Sequence, residues 1–241
     1  MKVHIIIPAR LDSTRFPGKL LKTIKGETLI GHICERAKQI KADTITVATD
    51  NEKIKDVVES KGVNCFYMFK KFTSGTHRCS YVAKIRDYST NDLVINIQAD
   101  EYNFSIGAIN TIIEYYKMSM NYEVITLISK TTSPTKYFEP NTVKVLVDKL
   151  NYATCFTRTP IPYFKERLIQ YPMYAHVGIY AYPVELLHEY KNLDVSPYEE
   201  YENLEQLRFI YNNIDIKCIE INDESISINS PDDLKKARGI K

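Results

Sequence analysis

Apolar segments and amphipathic segments alternate along the first hundred residues of this chain, and this alternation restricts the fold more than any other feature. The first segment, Val3–Ile7, is apolar at both odd and even positions, as in strands that are covered on both faces of a parallel sheet. Next, Leu29, Ile30, Ile33 and Ala37 recur at helical spacing. Further strands are predicted at 44–50, 63–68 and 92–100, and further helices at 51–62 and 75–88. Repeated βαβ units of this kind predict an α/β fold with a mostly parallel, doubly wound, Rossmann-like sheet.

In the second half of the chain, predicted strands and helices no longer alternate regularly. Strands are predicted at 122–129, 141–148, 153–159, 175–182 and 215–221, with helices at 203–213 and 230–240. Ser230 is the expected N-cap of the last helix and Pro231 its first residue. Because no Gly/Ser/Pro-rich linker interrupts the sequence, we predict one domain over 1–241. Its smaller, mixed or antiparallel part is inserted into the sheet or wrapped around it.

Charge and composition exclude several classes of partner. The formal net charge is +2, so there is no electrostatic case for binding nucleic acid or a membrane surface. No apolar run approaches the ~20 residues that a membrane-spanning helix needs, and no signal-peptide pattern precedes the first strand. Five cysteines without a CxxC pair predict neither a zinc site nor a disulfide framework. We therefore predict a cytoplasmic protein without membrane insertion.

The loop that follows the first strand concentrates cations and hydroxyls. It contains Arg10, Ser13, Thr14, Arg15 and Lys19. Ligands of open α/β sheets bind beyond the carboxyl ends of the strands, where backbone N–H groups, hydroxyls and cations can hold phosphates. With a single glycine, the loop is neither a Walker A loop nor a GxGxxG fingerprint. It is interpreted as a polyphosphate cradle, with a solvated polar loop as the alternative.

Asp100 ends the predicted strand at 92–100. A carboxylate at this edge of the sheet, opposite a basic loop, is a natural Mg²⁺ ligand beside a nucleoside triphosphate. The alternative is a turn or N-cap residue.

Together the motifs resemble those of the CMP-Kdo synthetases, the 3-deoxy-manno-octulosonate cytidylyltransferases. The opening IPARLDSTRFPGKLL is similar to IPAR-x-x-STR-x-PGK-x-L, SGTHRCSYVA to SGTDR-x-A-E, and NIQADEYNF to NVQGDEP. VKVLVD, CFTRTPIPYF, HVGIYAY, LEQLR and ISINSPDDLKKAR also follow the family pattern, in family order to about residue 238.

The resemblance implies cytidylyl transfer from CTP to a 2-keto-3-deoxy sugar acid, giving a CMP-sugar and pyrophosphate for bacterial surface polysaccharide synthesis. It implies Mg²⁺ as cofactor, a homodimer, and a dimerisation role for the smaller part of the fold. The implied catalytic residues are Arg10, Lys19 and Asp100. The implied nucleotide-binding residues are Ala9, Arg10, Ser13, Thr14, Arg15, Lys19, Ser74, Gly75, Arg78 and Gln98. The implied sugar-binding residues are Gln98, Arg158, His176, Tyr180, Glu205 and Gln206, with Arg158 pairing with the sugar carboxylate. Asp100 and Asn229 are the implied metal ligands.

Several positions depart from the family pattern. His77 stands where the family has Asp, and Ala99 and Tyr102 replace Gly and Pro. Asn229 replaces the second metal-binding carboxylate that the resemblance implies. Asn can still give a carbonyl oxygen to a hard cation, but the site has one negative charge fewer. Two alternatives therefore stay open. One is a cytidylyltransferase for another acceptor, such as an amino-Kdo, a nonulosonic acid or a phosphonate. The other is a catalytically weakened homologue that binds nucleotide.

Overall fold

A computed structural model of the chain describes residues 1–11, 16–163, 173–222 and 226–239. Its strands are β1 (Val3–Ala9), β2 (Thr23–Ile24), β3 (Glu27–Thr28), β4 (Thr44–Thr49), β5 (Asn64–Tyr67), β6 (Leu93–Ile97), β7 (Val124–Thr131), β8 (Lys144–Val147), β9 (Ala153–Thr157), β10 (Met173–Pro183) and β11 (Ile216–Ile221). Its helices are α1 (Leu29–Ala37), α2 (Glu52–Ser60), α3 (Gly75–Ile85), α4 (Ile106–Ser119), α5 (Pro134–Phe138), α6 (Val184–Glu189), α7 (Pro197–Glu202), α8 (Leu207–Tyr211) and α9 (Pro231–Gly239).

The main sheet has the strand order β11-β7-β10-β6-β1-β4-β5. Strands β5, β4, β1 and β6 are parallel to one another, and β7 is parallel to β11. Strand β10 runs antiparallel between β6 and β7, and the β8–β9 hairpin adds to β10. The predicted mostly parallel sheet with an inserted antiparallel part is therefore confirmed, and the dimerisation role of that part stays a prediction.

Helices cover both faces of the sheet because its central strands are apolar on both sides. Ile5 and Ile7 lie in one core cluster, with buried residues of α1, α2, α4 and α9. Ile6 points the other way, into a second cluster with residues of α3, α6 and α8. This is the doubly wound arrangement that the apolar pattern of Val3–Ile7 predicts.

Several helix ends follow local rules. Ser230 Oγ accepts from Asp233 N at 3.2 Å, and Asp233 Oδ2 accepts from Ser230 N at 2.9 Å. This reciprocal cap confirms the predicted start of the last helix. The helix predicted at 203–213 is shorter than expected. It begins only at Leu207, because Asn203 adopts a left-handed conformation (φ 52°) that ends α7.

Helix α4 has 14 residues, yet its segment is not predicted from the sequence. Its buried Ile109, Ile112, Ile113 and Tyr116 recur at helical spacing, and Ser105 Oγ caps it by accepting from Ala108 N. Both signals are visible in the sequence.

Candidate active site

The carboxyl ends of β1, β4 and β6 meet at one edge of the sheet because these strands are parallel neighbours. A cleft opens at this edge. It is lined by Pro8, Arg10, Phe72, Thr73, Ser74, Gly75, Arg78 and Gln98. Five of the predicted nucleotide-binding residues thus line one cleft. Ser13, Thr14 and Arg15 lie outside the described residues.

The N-terminus of α3 forms one wall of the cleft. Ser74 is its N-cap, with Oγ accepting from His77 N at 3.1 Å and bonded to the Tyr190 hydroxyl at 3.1 Å. A Cβ at Gly75 would lie 2.9 Å from Gln98 Nε2, so the glycine lets the Gln98 amide approach the helix. The positive end of an 11-residue helix favours a bound anion.

The Arg78 side chain braces the strand ends under the cleft. Its guanidinium donates to the carbonyls of Ala9 (3.2 Å) and Ala48 (3.0 Å) and to Asp50 Oδ2 (3.2 Å). It also lies 5.1 Å from the Phe72 ring centroid. Arg78 is buried, and these donors are bonded to protein acceptors. Arg78 therefore fixes the end of β1, including the predicted residue Ala9, against the end of β4.

Lys19, Asp100 and Asn229 are distant in sequence but meet in space. Lys19 Nζ donates to Asp100 Oδ2 at 2.6 Å, to the Ile228 carbonyl at 2.9 Å and to Asn229 Oδ1 at 3.4 Å. Gly18, in a left-handed conformation (φ 66°), precedes the short 3₁₀ turn that presents Lys19. The Asp100 carbonyl accepts from Ile228 N at 2.8 Å. This bond holds the segment that contains Asp100 against the segment that contains Ile228 and Asn229.

These oxygens form a donor set suited to a hard cation. A carboxylate, an amide oxygen and a backbone carbonyl surround one positive charge, here the Lys19 ammonium. Within the described ranges, no group of three or more His, Cys, Asp or Glu residues could hold a metal. Because Mg²⁺ is commonly held by one or two carboxylates together with substrate phosphates, the Asp100–Asn229 pair fits it.

Four of the predicted sugar-binding residues lie on two elements beside the cleft. His176 and Tyr180 are on β10, with ring centroids 5.1 Å apart. Glu205 and Gln206 lie in the turn before α8, and Glu205 Oε2 accepts from Thr76 N, in the first turn of α3, at 2.9 Å. The Gln206 side chain is buried, and its Nε2 has no hydrogen-bond partner in the described part of the chain. The Gln206 amide is thus a buried donor that does not itself line the cleft.

Two sugar-side residues have pKa values that burial shifts toward the neutral form. Burial lowers the pKa of His176 to about 3. Burial raises the pKa of the Tyr180 phenol well above its usual range. Both groups are therefore neutral hydrogen-bonding groups at pH 7.

Arg158 occupies a different environment. Its guanidinium donates to the carbonyls of Glu202 (2.7 Å), Pro140 (3.0 Å) and Asn203 (3.4 Å). The Arg158 carbonyl accepts from the buried Lys144 ammonium at 2.7 Å. Arg158 thus lies next to the segment that leads to Glu205, and its pairing with a sugar carboxylate stays a prediction.

Sequence reasoning missed Asn96, which lies beneath the cleft. It is fully buried on β6, and its Nδ2 has no hydrogen-bond partner among the described residues. A Cβ at Gly75 would lie 3.5 Å from this nitrogen, so the amide faces the start of α3. An asparagine inside the otherwise apolar run LVINI is a signal that could have found it.

Comparisons with known proteins agree with this geometry. A family model described as "Cytidylyltransferase" matches residues 4–216. The chain is 39% identical to the 3-deoxy-manno-octulosonate cytidylyltransferase of Francisella tularensis subsp. novicida, over 99% of this chain and 98% of the relative. It is also 39% identical to the enzyme of that name from Fusobacterium nucleatum, over 98% of this chain and 95% of the relative. Its structure is similar to a CMP:2-keto-3-deoxy-manno-octonic acid synthetase complexed with CTP. That match has a TM-score of 0.90 and 33% identity, and covers 99% of this chain and 97% of the other.

Proposed function

The chain belongs to the cytidylyltransferase family, and from this premise we propose that it transfers the cytidylyl group of CTP to 3-deoxy-manno-octulosonate (Kdo) or a close 2-keto-3-deoxy sugar acid. The observation that carries the proposal is the meeting of Lys19, Asp100 and Asn229 at the strand edge that also forms the cleft. Full-length similarity to enzymes named for this substrate supports the choice of acceptor.

The reaction is a substitution at the α-phosphorus of CTP. The anomeric hydroxyl oxygen of the sugar acid forms the new P–O bond and loses its proton to solvent. The bond between the α- and β-phosphates breaks, and pyrophosphate leaves with the bonding electrons. Catalysis of such a transfer consists mostly of positioning and charge stabilisation.

We assign the triphosphate to the first loop and to the start of α3. Arg10 lines the cleft, and Lys19 carries a second cation to the same edge. Arg15, Ser13 and Thr14 belong to this set by the resemblance. The N–H groups of Thr76 and His77 at the start of α3 are already bonded to Glu205 and Ser74, so this helix end contributes its positive potential to the cleft rather than these two donors.

We assign Mg²⁺ to Asp100 and Asn229. When bound there, the ion would neutralise phosphate charge and polarise a phosphoryl oxygen. Lys19 would then exchange its bonds to Asp100 and Asn229 for bonds to phosphate oxygens.

We assign the sugar acid to the β10 side of the cleft. Among the described residues Gln206 Nε2 has no hydrogen-bond partner, and neutral His176 and Tyr180 can exchange hydrogen bonds with hydroxyls. Gln98 lies between the two substrates, because it lines the cleft and its Cγ is 3.3 Å from where a Cβ at Gly178 of β10 would lie. Arg158 is assigned to the sugar carboxylate on the resemblance alone.

We further propose that the protein is a cytoplasmic homodimer with one cytidylyltransferase domain that supplies surface polysaccharide synthesis. Three exposed aromatic side chains support a second-copy interface: Phe138 (66% exposed), Tyr163 (88%) and Tyr201 (82%). Their segments are tied together, since Tyr137 bonds the Pro162 carbonyl and Arg158 bonds residues 140 and 202. In the part of the chain that the structure describes, no helix is long and apolar enough to cross a membrane.

The test is pyrophosphate release from CTP and Mg²⁺ with Kdo, against a control without sugar. We expect release that depends on Kdo and is lost in Asp100→Asn. Parallel reactions with an amino-Kdo, a nonulosonic acid and a phosphonate identify a different acceptor. CTP binding without turnover of any acceptor would overturn the proposal and support a weakened nucleotide-binding homologue.

A further inference from the structure

Strand β10 contains an irregularity between the two predicted sugar-binding residues. Val177 pairs with Leu127 of β7, but the next pair is Tyr180 with Thr126, so Gly178 and Ile179 have no counterpart on β7. A bulge of this kind changes where the following side chains point and is frequent next to active sites. It brings His176, Thr126 and the Ile179 carbonyl together.

The Thr126 hydroxyl connects these groups. Its Oγ1 donates to the Ile179 carbonyl at 2.8 Å and lies 2.9 Å from His176 Nε2. Thr126 is fully buried, so both bonds form away from solvent. A hydroxyl has one proton to give, and here the carbonyl receives it.

The state of His176 follows from this count. Because Thr126 Oγ1 has already donated its proton, it can only accept from His176, so Nε2 must carry hydrogen. Nδ1 of a neutral imidazole is then an acceptor. The described residues give Nδ1 no hydrogen bond. The ring itself is held between Phe156, edge-on at 5.4 Å, and Tyr180 at 5.1 Å.

We propose that Thr126 is a positioning residue that holds His176 as the Nε2–H tautomer, so that Nδ1 accepts a hydrogen bond from a hydroxyl of the sugar acid. The sugar part of this inference rests on the proposed function. The tautomer part rests on the geometry of Thr126, Ile179 and His176 alone.

A matched pair of substitutions separates the hydroxyl from the shape of the side chain. Thr126→Val keeps the volume and branching of the side chain but removes its hydroxyl. The hydrogen bonds that this hydroxyl makes with His176 Nε2 and with the Ile179 carbonyl are then lost. Thr126→Ser keeps the hydroxyl. Thr46→Val makes the same buried change on β4 and controls for the loss of a threonine hydroxyl from the sheet.

The first measurement is the ¹H–¹⁵N long-range NMR spectrum of the histidine rings in the full-length protein, assigned with His176→Gln. We expect His176 to show a protonated Nε2 and an unprotonated Nδ1 in the wild type and in Thr126→Ser, and a mixture of tautomers in Thr126→Val. A wild-type Nδ1–H tautomer, or an unchanged spectrum in Thr126→Val, would overturn the proposal. This readout does not depend on catalysis, so it stands even if no sugar acid is turned over.

The second measurement is steady-state pyrophosphate release. We expect Thr126→Val to raise KM for the sugar acid about tenfold, as for one lost hydrogen bond, with KM for CTP nearly unchanged. Thr126→Ser and Thr46→Val should stay near the wild type. Equal sugar KM in Thr126→Val and the wild type would refute the link to sugar binding. If no acceptor supports release in the wild type, the proposed function fails, and the spectra still decide the role of Thr126.

Discussion

Asn229→Asp tests the proposed metal site most directly. Asn229 Oδ1 lies 3.4 Å from Lys19 Nζ, and Asp100 Oδ2 lies 2.6 Å from the same nitrogen. At present one carboxylate faces one ammonium, so their charges cancel. The substitution is nearly isosteric and adds one negative charge at this point.

The size of the effect follows from a charge argument. Two unit charges 4 Å apart interact by about 1 kcal/mol in water and about 4 kcal/mol at an effective dielectric constant of 20. The side chains of Lys19 and Asp100 are 11% and 25% exposed, so the site lies between these limits. The new carboxylate attracts a divalent ion twice as strongly as it attracts the competing Lys19 ammonium. For the metal a net gain of about 1–4 kcal/mol remains between these two limits, which is about 5- to 900-fold in affinity.

The assay is a Mg²⁺ titration of pyrophosphate release at saturating CTP and sugar acid. We expect a lower half-maximal Mg²⁺ concentration in Asn229→Asp. Binding of Mn²⁺ in the presence of a non-hydrolysable CTP analogue, followed by electron paramagnetic resonance, gives a second readout. Asn213→Asp, which adds the same charge on an exposed turn before β11, is the control and should change neither value. An unchanged or weaker metal dependence in Asn229→Asp would show that residue 229 is not at the metal.

Four further substitutions test the rest of the site. Lys19→Ala and Arg15→Ala should each lower kcat/KM for CTP about 100-fold or more, because each removes a cation from the triphosphate; wild-type turnover in both would remove the loop from the mechanism. Arg158→Lys should raise KM for the sugar acid about tenfold or more with little change for CTP, because lysine cannot make a bidentate pair; an equal loss for CTP would place Arg158 on the nucleotide side. Arg78→Met should lower the free energy of unfolding in urea by about 2–3 kcal/mol, because two buried carbonyls and one carboxylate lose their donor. Wild-type stability in this variant would contradict the bracing role of Arg78.

Much of the first half of the fold could be predicted from local pattern. The positions of β1, α1, β4, α2, β5, α3 and β6 follow from apolar periodicity, whereas the two-residue strands β2 and β3 were not predicted. The Ser230–Asp233 cap follows from residue type and spacing. Helix α4 was not predicted, although its apolar residues at helical spacing and its Ser105 N-cap are both visible in the sequence. The late start of α8 depends on the conformation of Asn203, which propensity alone did not indicate.

Part of the candidate site, too, could be predicted from the sequence, and part could not. The predicted strand end at Asp100 was wrong by three residues, since β6 ends at Ile97 and Asp100 lies in the turn that follows it. The turn still carries the Asp100 carboxylate to Lys19 Nζ, so the chemical roles predicted for the two residues remain compatible with the structure. The partnership of Asn229 with them came from the resemblance, and the structure places it within 3.4 Å of Lys19 Nζ. The sequence analysis did not select Asn96, because the role of a buried asparagine depends on which groups pack against its amide. Here those groups lie at the start of α3.

The sequence by itself determined which segments become strands and helices, which faces of them are apolar, and which polar residues stand at strand ends. These properties depend on neighbours a few positions away, through helical and strand periodicity and through caps. Only the tertiary structure decided that β10 lies antiparallel between β6 and β7, and that β7 and β11 form a parallel pair. The partner of a strand depends on the packing of the whole chain, because backbone N–H and C=O groups are the same in every candidate neighbour. For the same reason no local pattern could bring Thr126, His176 and the Ile179 carbonyl to one point.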